Sequence, residues 1–260
     1  MENIRAESIT LGTNVIIEPS ATIRGLNGKA KSIDIGDNTY IGANVQIICD
    51  DFKIGDYGKI HHHTNIHGYK PVRIGHNFWC GQYTIIDGIG GTTIGNNVGV
   101  GAHSQLWSHI KYGDTLEGCR FNSSSTLNIG NDVWFVGHCI VSPIKAEDKS
   151  MAMVGSVVTK NMKKNNIYAG SPAKNITDKI GKQFEENSLD SKYEKMKKYL
   201  KDFKLHKNTI QIVLSDDAYV DKSISYFNVA TRKYTKRSTK QEINFMEFLL
   251  PDKAKFTPEN

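Results

Sequence analysis

Residues 94–143 read IGNNVGVGAHSQLWSHIKYGDTLEGCRFNSSSTLNIGNDVWFVGHCIVSP, and this stretch decides the fold. An irregular segment, residues 107–128, separates two regular ones and carries His109 near its start. The regular segments place an apolar residue at every sixth position: Ile94, Val100, Leu106, Ile129, Phe135 and Val141. The pattern indicates a six-residue repeat that is interrupted once.

The same period extends through the earlier part of the chain. Ile-Gly pairs open successive triplets of the repeat at residues 35, 54, 74 and 94, a spacing of 19 to 20. Three short strands would make one turn of a triangular coil, with Gly and Asn or Asp at the corners. Coils stack at the ~4.8 Å strand spacing, and stacking rather than the single coil builds the core. A β-sandwich would alternate with period two, so we predict a mainly β chain built on a parallel β-helix.

The interruption of the repeat is the first candidate functional segment. After Ile94 the next triplet is due near residue 113, but it arrives at Ile129. A surplus of this length within a compact repeat is usually functional or disordered, and its large apolar residues favour function. His109 lies just inside it, and histidine suits general-base chemistry because it titrates near neutrality. The alternative is a surface histidine without a role.

Composition, charge and cysteine spacing argue against several classes of protein. The net charge of +6 and pI near 9 are compatible with a phosphate-bearing ligand or simply with solubility. No dense basic cluster interleaves with aromatic residues, so we expect no nucleic-acid partner. The four cysteines contain no C-x-x-C pair, which argues against a zinc clip or a redox motif. With no signal peptide and no transmembrane segment apparent, we expect a cytoplasmic protein with reduced thiols.

Residues 178–260 lie outside the repeat and predict a small α+β extension. Residues 178–203 are highly charged with apolar residues at helical spacing, which predicts an amphipathic helix. Residues 208–214 and 223–229 read as strands, and residues 240–250 read as a helix ended by a proline. The domain prediction is therefore a β-helix over 1–177, with the inserted loop 107–128, followed by the extension 178–260. The basic run 230–240 holds a nucleotide-sugar phosphate, packs against neighbouring subunits or is simply a solvated face, and the composition favours the solvated face.

Three motifs carry a resemblance to a known family. They are GAHSQLWSHIKYGD (101–114), IGNDVWFVGHCIVSP (129–143), and VGSVVTKNM (154–162) followed by AGSPAKNI (169–176). In this order, over roughly residues 30–177, the chain resembles the hexapeptide-repeat acyltransferases. These include galactoside, maltose and serine acetyltransferases and enzymes of polysaccharide biosynthesis. The resemblance implies a left-handed coil, acetyl-CoA as co-substrate, and a homotrimer with active sites between subunits.

The resemblance also assigns roles to residues of this sequence. It makes His109 the catalytic base, with the group that orients its ring open between Asp114, Glu117 and a backbone carbonyl. It carries one set of residues to the pantetheine arm and groove of coenzyme A: Trp134, Gly137, Val154, Thr159, Lys160 and Lys174. The lysines suit the polyanionic nucleotide end. Three residues are expected to contact the acceptor: His103, Asp87 and Trp107. His138 is a further candidate for either ligand.

We therefore predict an acetyl-CoA-dependent O-acetyltransferase that acts on a saccharide or nucleotide-sugar hydroxyl in surface-polysaccharide assembly. One alternative is an N-acetyltransferase for a nucleotide-linked amino sugar. Another is a zinc-dependent hydratase like the γ-carbonic anhydrases, suggested by the run His61–His63. Adjacent strand residues point to opposite faces, so these three cannot all ligate one ion, and we expect no metal. A third is a scaffold that has lost catalysis.

Overall fold

The structure is a computed structural model, and it describes residues 3–204 and 209–259. The chain divides into two compact units between Phe184 and Glu185. From the sequence we predicted this boundary after residue 177. Residues up to Phe184 stay with the first unit because the backbone N–H of Phe184 donates to Asn165 Oδ1, and Asn165 Nδ2 donates back to the Phe184 carbonyl.

The first unit is a parallel β-helix whose strands follow one another on three faces. The first face holds β1 (Ile4–Leu11), β4 (Ala30–Ile35), β7 (Asp51–Ile54), β10 (Val72–Ile74), β13 (Thr92–Ile94), β18 (Leu127–Ile129) and β21 (Lys145–Ala146). The second face holds β2 (Ile16–Ile17), β5 (Tyr40–Ile41), β8 (Lys59–Ile60), β11 (Trp79–Cys80), β14 (Gly99–Val100), β19 (Trp134–Phe135), β22 (Met151–Ala152), β24 (Ile167–Ala169) and β25 (Lys174–Asn175). The third face holds β3 (Thr22–Arg24), β6 (Gln46–Cys49), β9 (Asn65–Gly68), β12 (Ile85–Asp87), β15 (Gln105–Leu106), β20 (Ile140–Val141) and β23 (Val157–Val158).

Register is kept from coil to coil, so each residue lies on its counterpart in the previous turn. On the first face Ile54 pairs with Ile74, Ile74 with Ile94, and Ile94 with Ile129. Their side chains are at most 3% exposed. The apolar residue of every sixth position therefore forms a continuous central column, as the period predicted, and burial of this column drives the coil together.

The edge between the first and second faces, called the first edge, explains the Gly-Asn and Gly-Asp pairs of the sequence. The backbone N–H of His76 donates to Asn96 Oδ1, and that of Asn96 donates to Asn131 Oδ1, each at 2.8 Å. A Cβ on Gly75 would lie 2.4 Å from the same Asn96 oxygen, so only glycine allows the coils to approach this closely. The side-chain amides thus satisfy backbone donors that the turn leaves unpaired.

The inserted segment forms an arm on the edge between the third and first faces, called the third edge. It leaves after β15 and returns at β18. Its two short strands, β16 (His109–Lys111) and β17 (Asn122–Ser124), pair antiparallel as a hairpin. Beyond them the arm exposes large apolar side chains, with Tyr112 and Leu116 more than 90% exposed.

The second unit is a small α+β fold. It contains α2 (Leu189–Asp202), β26 (Ile210–Val213), a 3-10 turn (Asp216–Ala218), β27 (Ser225–Asn228), β28 (Lys233–Tyr234), α3 (Lys240–Leu249) and β29 (Thr257–Pro258). Its sheet has the order β26-β27-β28-β29. Thr239 caps α3, because its Oγ1 accepts from the backbone N–H of Glu242.

One difference from the sequence prediction concerns this C-terminal region. The helix predicted over 178–203 is two helices, α1 (Thr177–Ile180) and α2. They separate after Gly181 adopts a φ of 88° that a continuing helix does not permit. The predicted strands and the second helix are confirmed. The fold class is also confirmed as a mainly β chain, a parallel β-helix with a small α+β extension. Within the described residues, no helix is long and apolar enough to cross a membrane.

Candidate functional site

The base of the arm brings His109 back onto the coil. Trp107 is the last residue that follows the third face, and its backbone N–H still donates to the Val141 carbonyl of the next coil. The chain then turns outward through Ser108, which is fully buried. Two residues past Trp107, the His109 side chain is 19% exposed and faces the third edge.

A buried carboxylate orients the His109 ring. His109 Nδ1 lies 2.8 Å from Asp87 Oδ2, and Asp87 is 4% exposed. The same oxygen accepts from the Ser108 backbone N–H at 2.9 Å and from the Ser108 hydroxyl at 2.5 Å. Since an ionised carboxylate only accepts hydrogen bonds, the neutral ring carries its proton on Nδ1 and presents the lone pair of Nε2. In the described part of the chain, Nε2 makes no hydrogen bond, so it is available to a ligand.

These contacts change the roles expected of the acidic residues. Asp87 was predicted to contact the acceptor, but its carboxylate is buried against His109 and Ser108 instead. Asp114, one of the candidates for orienting the ring, accepts from the backbone of Leu116 and Glu117 in a turn of the arm. The coil register could have identified Asp87 as the partner of His109, because Asp87 stands 20 residues before Trp107 in the repeat frame. It therefore lies one coil below the start of the arm.

One outward column along the third edge gathers several polar and aromatic residues. Asp87 pairs in register with His67 of the preceding coil. The register of β15 with β20, and of β20 with β23, continues the column upward through Trp107 and Ser142 to Thr159. The Trp107 ring packs edge-on against His109, with centroids 5.9 Å apart. We call this set of residues, His67, Asp87, Trp107, Ser142 and Thr159, the outward column.

The remaining predicted cofactor residues lie elsewhere on the same chain. Lys160 follows Thr159 and is exposed at the third edge. Trp134 is on the second face, 44% exposed, where Gly99 of the preceding coil leaves room for its indole ring. Gly137 and Val154 lie at the edge between the second and third faces, called the second edge. Lys174 is in β25, on the second face. A single chain therefore does not bring the predicted coenzyme A residues together.

His103, predicted to contact the acceptor, and His138 are also at the second edge, away from His109. Both have left-handed backbone conformations, with φ of 59° and 50°. Their rings stack at 4.9 Å, and His103 stacks on Tyr83 at 5.2 Å, which in turn stacks on His63 at 4.8 Å. We call these four exposed rings the ring column. Their order follows directly from the unbroken register of the coils at this edge.

The run His61–His63 spreads over two surfaces. His61 packs edge-on between Tyr40 and Trp79 on the second face, and burial lowers its pKa, with a smaller contribution from the nearby Lys59 charge. His62 and His63 meet through their Nδ1 atoms at 2.9 Å at the second edge. Among residues 3–204 and 209–259, no group of three or more His, Cys, Asp or Glu residues is arranged to hold a metal ion.

Comparisons with known proteins place these features in context. No protein-family model matches the chain. Galactoside O-acetyltransferase of Escherichia coli (strain K12) is 30% identical over 138 residues, which cover 52% of this chain and 61% of the relative. The bifunctional protein GlmU of Acaryochloris marina is 28% identical over 179 residues, which cover 60% of this chain and 37% of the relative. The chain thus spans between about a third and about three fifths of these relatives' lengths.

Among solved structures, the polysialic acid O-acetyltransferase OatWY matches with a TM-score of 0.41 at 17% identity, covering 72% of this chain and 95% of that chain. Over these aligned lengths the chain is similar to galactoside O-acetyltransferase and to GlmU, which agrees with the resemblance that its motifs indicated.

Proposed function

We propose that this protein is an acetyl-CoA-dependent O-acetyltransferase that acts on a saccharide hydroxyl, with His109 as the general base. The observation that carries the proposal is the Asp87–His109 pair, which leaves Nε2 unprotonated at the base of the arm. A hydroxyl is a poor nucleophile until it loses its proton, and a positioned base contributes ~10² to 10⁴-fold to such a step.

The chemistry follows from the orientation of the ring. His109 Nε2 takes the proton of the acceptor hydroxyl while the oxygen attacks the thioester carbonyl. The new C–O bond replaces the C–S bond, and the proton then passes to the departing thiolate. Asp87 is a positioning residue: it fixes the tautomer and stabilises the imidazolium that forms between the two proton transfers.

Similarity to known enzymes supports the choice of substrates. One relative is named a galactoside O-acetyltransferase, and it aligns with this chain over 138 residues at 30% identity. The acceptor is accordingly a saccharide or a nucleotide sugar, and the setting is surface-polysaccharide assembly with cytoplasmic acetyl-CoA as donor. Thr159 and Lys160 are exposed at the third edge on the C-terminal side of His109, where a lysine can meet a phosphate of the donor.

The separation of the predicted cofactor residues supports a shared site. One chain offers Thr159 and Lys160 at its third edge, and Trp134, Gly137 and Val154 on its second face and second edge. We propose a homotrimer in which the third edge of one subunit meets the second edge of the next, so that each active site is completed by two chains. His103 then approaches the acceptor from the neighbouring subunit.

Donor binding is tested by titrating the full chain with acetyl-CoA in a calorimeter. Lys160→Ala should weaken binding about 5- to 10-fold, the loss of one charged contact to phosphate. Lys53→Ala is the matched control, since this lysine is exposed on the first face and pairs with Asp34. Absence of any heat of binding with the wild-type chain would refute the enzymatic proposal.

The shared site is tested by co-expressing His109→Ala subunits with Trp134→Ala subunits. If each site takes His109 from one subunit and Trp134 from its neighbour, random assortment restores about a quarter of the wild-type activity in a cyclic trimer. If both residues serve a site within one chain, the mixture stays as inactive as either variant alone.

A further inference from the structure

The outward column runs along the third edge from N-terminal to C-terminal coils. Thr159 and Ser142 lie on the C-terminal side of the arm, toward the coils that carry the proposed donor residues. His67 lies on the opposite side, one coil below Asp87. If the thioester approaches His109 from the C-terminal side, the acceptor must reach Nε2 from elsewhere, and the exposed side chains of the preceding coil are the nearest surface in that direction.

His67 is well placed to meet it. Its Cα is the register partner of Asp87, at about the 4.8 Å strand spacing. The preceding residue, Ile66, is fully buried, so the His67 side chain points outward. The ring is partly exposed, and neither of its nitrogens hydrogen-bonds to a residue in the described ranges. Such an imidazole offers one donor and one acceptor to a ligand.

Tyr69 adds an apolar surface beside it. Its side chain is 64% exposed, and its ring meets that of His67 edge-on, with centroids 5.9 Å apart. A flat ring next to a polar imidazole edge matches a sugar, which has an apolar C–H face and a rim of hydroxyls. The same pairing of an apolar platform with a few polar groups is typical of small-molecule sites.

Backbone contacts hold this turn rigidly against the one that carries Asp87. The Gly88 N–H donates to the His67 carbonyl at 2.7 Å, and the Lys70 N–H donates to the Gly88 carbonyl at 3.0 Å. A Cβ on Gly68 would lie 2.4 Å from the Gly88 Cα, so the two turns touch through glycines. His67 and Tyr69 are therefore fixed relative to Asp87, and through Asp87 relative to His109.

We infer that His67 and Tyr69 form an acceptor subsite for a single saccharide ring, with Tyr69 stacking on its C–H face and His67 hydrogen-bonding a hydroxyl. A ring held there presents another hydroxyl toward His109 Nε2, because the His109 ring folds back from the arm, two coils above His67, onto Asp87. The inference rests on the proposed acetyltransferase function and assigns specificity, rather than proton transfer, to these two residues.

The test separates two reactions of the same chain. Acetyl-CoA hydrolysis uses water as acceptor and needs His109 but no saccharide subsite. Transfer is measured by mass with a panel of methyl hexosides and UDP-hexoses. For the best acceptor of the panel, His67→Ala should raise KM about 10-fold, as expected for one lost hydrogen bond, and Tyr69→Ala about 5-fold. Hydrolysis and the KM for acetyl-CoA should stay unchanged in both variants.

Conservative variants and a matched control sharpen the result. His67→Gln keeps a donor and an acceptor and should recover most of the affinity, while Tyr69→Phe keeps the platform and should behave like wild type. His62→Ala removes an exposed histidine from the same coil at the second edge and should leave the acceptor KM unchanged.

The outcomes distinguish the inference from the function on which it rests. If hydrolysis and transfer both depend on His109 but His67→Ala and Tyr69→Ala leave the acceptor KM unchanged, the subsite is wrong and the function stands. If the chain hydrolyses acetyl-CoA but acetylates no member of the panel, the saccharide subsite is likewise overturned. If neither reaction depends on His109, the proposed function itself fails.

Discussion

The second and third edges of the same coil both carry histidines, yet they use them differently. At the second edge the repeat is unbroken, and His63, Tyr83, His103 and His138 stack ring on ring at 4.8 to 5.2 Å. At the third edge the repeat is interrupted by the arm, and His109 folds back to hydrogen-bond a carboxylate from the preceding coil.

The two edges differ in whether the register from coil to coil is kept. A regular coil places each residue above its counterpart, and in the ring column this lets histidine and tyrosine rings stack on one another. His109 lies on the arm, outside that register, and its ring meets Asp87, a residue 22 positions earlier, in a partly buried setting.

The largest predicted effect contrasts a thiol inside the repeat with one on the arm. Burial raises the pKa of the Cys80 thiol to about 12, so this thiol stays protonated at pH 8 and its thiolate fraction is on the order of 10⁻⁴. Cys119 is partly exposed on the arm. Native protein treated with a thiol reagent at pH 8 should be labelled at Cys119 at least about 10³-fold faster than at Cys80.

Peptide mass mapping over time measures both rates. Unfolding in urea is the control, because all four cysteines are then equivalent and should label together. Comparable rates at Cys80 and Cys119 in the native state would show that the coil opens readily, which contradicts a rigid repeat.

The next effect concerns catalysis. His109→Ala should lower kcat by ~10² or more for a hydroxyl acceptor, about 3 kcal/mol of transition-state stabilisation, while acetyl-CoA affinity barely changes. His103→Ala, at the unbroken edge, should change kcat only a few-fold. Parallel kinetics and calorimetry on both variants provide the measurement.

The same pair of variants tests the acceptor class. A neutral amine attacks without a base and loses its proton later, so an amine acceptor should show a much smaller loss in His109→Ala. A hydroxyl acceptor that His109→Ala still acetylates at the wild-type rate would remove His109 from the mechanism and direct attention to His103 and His138.

A smaller effect is expected from the carboxylate. Asp87→Asn keeps an oxygen for His109 Nδ1 and for the Ser108 N–H and hydroxyl but removes the negative charge that stabilises the imidazolium. We expect kcat to fall about 10-fold or more, up to the loss expected of His109→Ala, with an unchanged acceptor KM. In Asp87→Ala, kcat should fall further. The free energy of unfolding should also fall, because the buried Ser108 N–H and hydroxyl lose their acceptor. Wild-type kcat in the Asn variant would show that charge at this position is irrelevant.

Much of this arrangement was readable from the sequence, for a physical reason. The six-residue period fixes which side chains face inward, so the three faces, the central column and the place of the arm followed from the positions of isoleucine and glycine. His109 was predicted as the base from its place inside the interruption, and that role stays a prediction. Its partner was not identified, because the conformation of an irregular segment is not encoded in the period.

The positions of the other candidate residues were likewise predicted only in part. The resemblance grouped Trp134, Val154 and Lys160 as one cofactor site, but spacing alone does not say which edge each one reaches. His67 was overlooked altogether. Counting 20 residues back from Asp87 in the repeat frame places it beside the arm, so the register did contain that signal.

The smallest predicted effect concerns the ring column at the second edge. Tyr83 stacks on His63 and on His103, with ring planes within 19° of parallel. Its backbone has a φ of 56°, a left-handed conformation that disfavours tyrosine and that asparagine tolerates better. Tyr83→Ala should lower the free energy of unfolding by ~1 kcal/mol through the lost stacking.

Tyr83→Asn should lower the free energy of unfolding by less than Tyr83→Ala, because relief of backbone strain offsets part of the lost stacking. Urea unfolding at one fixed protein concentration compares the two variants with wild type, and both should keep the wild-type kcat. Equal destabilisation by Ala and Asn would mean that strain at this corner is negligible. A drop in kcat in either variant would mean that stacking on Tyr83 positions His103 for the reaction.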